Sequence, residues 1–289
     1  MRLDGRRESS NVEDRRGSGG SMAGIGGIGG VIIAALVALF MGGDPAQVIS
    51  EYAQGRQTQN TEVQGEANFT EEEQELAKFS RIIEASTEDV WTKIFAENGW
   101  GEYKPPTLVL YTGQTSTACG TGSAAVGPFY CSGDQKLYID LSFFTTMKQQ
   151  LGAGGDFAYA YVIAHEVGHH VEYLLGILNK AHQKMNSADK TTANKLSVRL
   201  ELLADFYAGV WAHYEQAVNQ SLEVGDMEEA IDCAHKIGDD YLQKNAQGYA
   251  VPESFTHGTS QQRMKWFKLG FDTGDMSRGN TFDLSDSQL

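Results

Sequence analysis

Two histidines four residues apart around a glutamate, His165 and His169 with Glu166, sit inside the apolar run "VIAHEVGHHVEYLLG" at residues 162–176. Imidazoles and carboxylates in such a run need a partner that offsets their desolvation. On a helix, positions i and i+4 share one face with Cβ atoms about 5–6 Å apart. His165 and His169 can therefore turn two ring nitrogens to one ion, at about 2.0–2.1 Å each if that ion is zinc. Glu166, rotated about 100° round the axis, is placed to reach a water in the ion's open position. This is the H-E-x-x-H arrangement of zinc hydrolases. Average residue frequencies produce it by chance in roughly one chain of this length in a hundred, which favours a metal motif over three solvated polar residues.

A third ligand is needed. The extended pattern H-E-x-x-H-x-x-G-x-x-H is excluded, since Glu172 and Leu175 occupy its glycine and third histidine positions. Glu172 lies two turns from His165 on the same helix, cannot converge on the same ion, and reads as a surface acid. The segment "SVRLELLADFYAGVWAH", 197–213, places Glu201 and Asp205 four apart on an otherwise apolar helix. Glu201 completes a His2Glu set, and Asp205 can accept the remaining N–H of a ligand histidine and so orient its ring. The competing reading of Glu201 is a salt bridge to Arg199 or Arg263.

These helices have to be carried by a folded body and placed in a compartment. With 289 residues, 21% charged and 41% hydrophobic, the chain suits a globular protein, and its formal net charge of −15 disfavours a nucleic-acid partner. Residues 24–43, "GIGGIGGVIIAALVALFMGG", carry no charge and are long enough to cross a hydrocarbon core of roughly 20 residues. A single transmembrane anchor is favoured over a cleaved signal peptide, whose n-region would be long and acidic. Five arginines precede the segment, and only Arg56 lies between it and Lys78. That bias puts residues 1–23 in the cytoplasm as a tail and the remainder beyond the cytoplasmic membrane, periplasmic or extracellular. Residues 44–68 read as a flexible linker and 69–289 as the functional domain. In an oxidising compartment Cys119 and Cys131, bracketing a Gly-rich loop, can form a disulfide, with two unpaired thiols as the alternative. Cys233 reads as a small buried apolar residue.

Within the domain, "TEEEQELAKFSRIIEASTEDVWTKIFAENG" opens on a helix-start signature, and "STED" suggests that a second helix begins there. Strands are expected at 107–111 and 136–144; in the latter Leu137, Ile139 and Leu141 alternate with Tyr138 and Asp140, as in a strand with one buried face. Helices are expected over about 156–176, 191–215 and 260–270, with another from Asp226, capped by its own side chain and by Glu229. Strands followed by helices indicate an α+β domain.

Several segments extend the pattern: "GRRESSNVEDRRG", "GPFYC", "YIDLSFF", "GDFAYAYVIAHEVGHH", "RLELLAD", "AGVWAH", "IGDDYLQ" and "VPESFTHGTSQQRMKWFKLGFDTGD". Together they resemble the bacterial putative neutral zinc metallopeptidase family, membrane-anchored proteins with the gluzincin plan of HExxH and a later ExxxD. The resemblance spans nearly the whole chain apart from the linker and parts of the glycine segment. It implies a zincin-like domain with one Zn2+ per chain. One departure is Phe206, where the family usually has a cysteine; any disulfide made by that cysteine is lost here.

In such a site Glu166 is the general base, and a polypeptide is the substrate. His257, in the loop before the last helix, is the candidate donor to the oxyanion, with Tyr138 and Arg263 as weaker ones; a packing role for His257 is the alternative. His182, His213 and His235 lack partner spacing, and His170 points elsewhere on the helix. The strand Lys136–Leu141 is expected at the sheet edge, where an extended peptide can add by main-chain hydrogen bonds. A catalytically idle, zinc-stabilised envelope scaffold is the competing function, although an intact Glu166 is not needed there. An intramembrane protease is disfavoured, because no stretch after residue 43 approaches 18 uncharged apolar residues.

Overall fold

The computed structural model describes residues 1–17, 69–123 and 127–289. Helix α1 (Glu71–Asn98) begins at the expected signature: the Thr70 hydroxyl accepts from the Glu73 amide and the Glu73 carboxylate from the Thr70 amide. It does not restart at "STED". Ser86 and Thr87 are buried and donate to Glu215 and to the Glu84 carbonyl, so their hydroxyls cap nothing and the helix continues.

The strands among the described residues are β1 (Val12–Asp14), β2 (Thr107–Tyr111), β3 (Gln114–Thr117), β4 (Gly120–Ser123), β5 (Phe129–Cys131) and β6 (Lys136–Asp140). The main sheet has the order β1-β2-β6-β5, with β1, β2 and β6 parallel and β5 antiparallel to β6. The pair β3–β4 is a separate hairpin. Two expectations are corrected. The strand from Lys136 is internal, hydrogen-bonded on both sides, and the edge next to it is β5. Both faces of β6 are buried: Leu137 and Ile139 face the main core, while Tyr138 packs with Val109, Tyr111 and Cys131 in a smaller cluster behind the sheet. Asp140 tolerates burial because it accepts from the Gly113 and Ser142 amides. The second of these bonds ends the strand and starts α2 (Ser142–Thr146), so "SFF" is helical.

The remaining helices are α3 (Asp156–Leu174), α4 (Ile177–Ser187), α5 (Lys190–Asn219), α6 (Asp226–Lys236), α7 (Asp239–Gln247) and α8 (Ser260–Thr273). The molecule is α+β and mostly helical. Helix α6 starts at Asp226 as expected, but not through the expected cap. Asp226 accepts from the Glu223 amide, and Glu229 accepts from the Phe157 amide, capping α3 instead. Cys119 and Cys131 form a disulfide, and Cys233 is buried and free.

The N-terminal residues are the main correction. They form no separate tail; residues 1–16 belong to the domain. β1 pairs with Leu108–Leu110, the Arg2 amide donates to the Ser221 carbonyl, and the Ser9 amide to the Arg81 carbonyl. Each of the five arginines that precede residue 24 has an acidic partner: Arg2 with Glu223, Arg6 with Glu215, Arg7 with Glu88 and Asp89, Arg15 with Glu13, Arg16 with Asp14. This packing joins residues 1–16 to the body formed by 69–123 and 127–289. The expected anchor at 24–43 and linker at 44–68 lie outside the described residues. Among the described residues no helix is long and apolar enough to cross a membrane.

Candidate metal centre

Helix α3 carries His165, Glu166 and His169, and α5 carries Glu201 and Asp205. What brings the helices together is Gly168, the fourth residue of the HEVGH motif. A Cβ there would fall 2.9 Å from the Ala204 carbonyl oxygen, so a side chain at 168 would push α5 away. On its far side α5 meets α8 as closely: a Cβ on Gly209 would lie 2.0 Å from the Phe267 carbonyl oxygen. Helix α5 is thus fixed between α3 and the helix that supplies Arg263.

The ring nitrogens of His165 and His169 and the carboxylate of Glu201 converge, with ligand atoms all within 4.8 Å of one another. His165 Nε2 is 3.2 Å and His169 Nε2 3.5 Å from the Glu201 oxygens. Each Nδ1 faces away to its own carboxylate, His165 to Asp205 at 2.8 Å and His169 to Glu172 at 2.9 Å. With a carboxylate on each Nδ1, both Nε2 atoms are turned to the Glu201 carboxylate. That is the donor set of a divalent-metal site with two histidines oriented by acids. The residues fit zinc.

Glu172 is therefore not a surface acid. It is fully buried, and although it cannot reach the ion it reaches the outer nitrogen of His169, one helical turn back. Its i+3 spacing from His169 was the available signal. Asp205 stands behind His165 and is itself held. Arg263 donates to both its oxygens, and the Tyr161 hydroxyl donates at 2.5 Å. Burial acts to raise the Asp205 carboxyl, but the charges of Arg263 and His165 hold it at about 2. Burial acts to lower His165, and the ionised Asp205 reverses this to about 8. Glu201 stays ionised well below its usual range: burial opposes this, and the charges of His257 and His169 outweigh it. The salt-bridge reading of Glu201 fails, because Arg263 serves Asp205 and Arg199 binds the carboxylate of Asp286 and the carbonyls of Thr281 and Leu284.

Glu166 is half-buried beside the ligands. Burial raises its pKa, partly offset by His165 and His169, which brings a carboxylate toward the range of a useful base. Its Oε2 accepts from the Tyr130 amide of β5 at 2.9 Å. His257 lies within electrostatic reach of Glu201, and Glu201 and Asp239 raise its pKa against burial. The buried Asp239 accepts the amides of Thr256, His257 and Gly258 on one oxygen, and its other oxygen is 3.3 Å from His257 Nδ1. The weaker donor candidates drop out. The Tyr138 hydroxyl donates to Asp134 behind the sheet, and Arg263 is committed to Asp205. Among the remaining histidines His182 is exposed, His213 and His235 are half-buried, and His170 is fully buried. Burial pushes His170 down to about 4, so it is neutral.

A helix bearing HExxH, a glutamate from a second helix and an acid behind each histidine define a site of the zinc-metallopeptidase type. The chain belongs to the family described as "Putative neutral zinc metallopeptidase", whose model matches residues 1–282. It is 51% identical to the protein YpfJ of Escherichia coli K12 over 294 residues, covering 99% of this chain and 100% of that one. It is 43% identical to Rv2575 of Mycobacterium tuberculosis H37Rv over 194 residues, 64% of each chain. No solved structure matches the chain.

Proposed function

We propose that the protein is a zinc-dependent metallopeptidase that hydrolyses peptide bonds of a polypeptide substrate. The observation that carries this reading is the convergence of the two Nε2 atoms on Glu201, each Nδ1 being held by its own carboxylate, with Glu166 adjacent and outside that cluster. A scaffold held by a structural ion has no use for that glutamate. Zinc bound by His165, His169 and Glu201 supplies a Lewis acid for the scissile carbonyl and a water of lowered pKa. Glu166, with Oε2 held by the Tyr130 amide, takes the proton of the attacking water on Oε1 and passes it to the leaving amine. His257, oriented by Asp239, donates to the substrate oxygen as it gains negative charge. Asp205 and Glu172 keep both ligand rings in one tautomer throughout.

The Cys119–Cys131 disulfide supports an oxidising compartment, outside the cytoplasmic membrane, for the domain and for residues 1–16 packed on it. The deciding experiment measures bound metal and casein cleavage for the full chain and for Glu166→Gln. One zinc in each, with cleavage reduced by a factor of about 100 or more in the variant, is expected. Equal cleavage, or zinc without cleavage in the native chain, would overturn the enzymatic reading in favour of a scaffold.

A further inference from the structure

Helix α3 carries two pairs of residues one turn apart. His165 and His169 point to the metal site. Glu166 and His170, each one position further on, make the second pair on the neighbouring face. A single residue touches both members of it: Tyr130 donates its backbone amide to Glu166 Oε2 at 2.9 Å, and its hydroxyl lies 2.9 Å from His170 Nδ1. His170 Nε2 lies 2.7 Å from the Lys104 carbonyl oxygen. A carbonyl only accepts, so Nε2 carries a proton, and Nδ1 takes the hydroxyl hydrogen of Tyr130.

The surroundings fix His170 in that role. It is fully buried, with the rings of Tyr130 and Tyr103 edge-on at 5.2 and 6.0 Å. Strand β5 has only three residues and is hydrogen-bonded along one side, to β6. Its last residue, Cys131, is tied to Cys119. An edge strand this short has little pairing of its own to hold it against α3.

We propose that His170 is a positioning residue for the general base. Through the Tyr130 hydroxyl it pins β5 to α3, and the pinned strand holds Oε2 of Glu166 by its amide, leaving Oε1 for proton transfer. The third histidine of HEVGHH thus serves the base and not the metal. This rests on the reading of Glu166 as general base, but the tether can be measured without any turnover.

The variants are Tyr130→Phe, which removes one hydroxyl, His170→Phe, which removes both bonds of the ring, and His170→Gln, whose amide can restore an acceptor and a donor. In the zinc-loaded full chain, hydrogen exchange at the Tyr130 amide is expected to speed up roughly 3- to 10-fold in Tyr130→Phe and His170→Phe, and to return toward native in His170→Gln. On a cleaved peptide, kcat is expected to fall by a similar factor in the first two, with KM and zinc content unchanged. Native exchange at Tyr130 together with native kcat in folded Tyr130→Phe would overturn the proposal. Should His170→Phe fail to fold, the hydroxyl deletion decides alone. A native chain that binds zinc yet cleaves nothing would sink the metallopeptidase reading, while the exchange rates would still decide the tether.

Discussion

The guanidinium of Arg16 lies over the ring of Phe69, 4.2 Å from its centroid, although the two are far apart in the chain. Arg16 also donates to the Glu73 carbonyl on the first turn of α1, so the end of the 1–17 segment and the start of the 69–123 segment meet at one place. The domain is therefore built from 1–16 and 69–289 together.

Replacing residues 18–68 by a Gly/Ser linker of about ten residues is expected to leave thermal stability within a few degrees of the full chain. Removing residues 1–68 is a different matter. It strips β1 from the sheet and Arg6 from the buried Glu215, an uncompensated charge worth roughly 3 kcal/mol or more. Denaturant unfolding of the two shortened chains checks this, and adding residues 1–16 back as a peptide should recover part of the loss.

Stability should fall in acid through Glu215. Burial acts to raise its carboxyl, but hydrogen bonds from Arg6, Ser86 and Ser221 and the charge of Arg6 hold it below the ordinary 4.5. A carboxyl depressed on folding contributes stability above 4.5 that is lost as pH drops through its folded value. Glu215→Gln is expected to be less stable than the native chain at pH 7 and to show a flatter profile below pH 4.5. Unfolding curves at several pH values read the difference directly.

Metal affinity separates the ligands from the residues behind them. Glu201→Ala should lose zinc, whereas Asp205→Asn and Glu172→Gln should retain it with affinity reduced roughly 10- to 100-fold. Competition with a chromogenic chelator gives the three values. Full affinity in Glu172→Gln would remove that residue from the site.

Gly168 sets the spacing of α3 and α5. In Gly168→Val the added side chain meets the Ala204 backbone, and the helices must part. Zinc affinity is expected to drop at least tenfold and stability by about 1–3 kcal/mol, the usual cost of overpacking a close contact. Zinc titration and thermal unfolding of the same sample test both.

The residues of the candidate metal site were legible in the sequence because their arrangement is local. A helix turns about 100° per residue whatever surrounds it, so the spacing of four in His165/His169 and in Glu201/Asp205 already placed each pair on one face. The reciprocal cap at Thr70 and Glu73 and the helix over "ELLAD" are local in the same sense. The edge strand was misplaced for the opposite reason. Whether Lys136–Asp140 is an edge depends on where Phe129–Cys131 folds back, and alternation along one strand does not report its neighbours.

Tertiary structure decided the rest. It turned Glu172 from an outward acid into the partner of His169, gave Arg263 to Asp205, and brought Tyr130 between Glu166 and His170. It also took the five N-terminal arginines, whose count alone pointed to the cytoplasm, and spent them on acids as distant as Glu215 and Glu223. An ion pair or a buried acid is a relation between two places in the chain. Periodicity fixes a residue's direction on its own element, and only packing determines what it meets there.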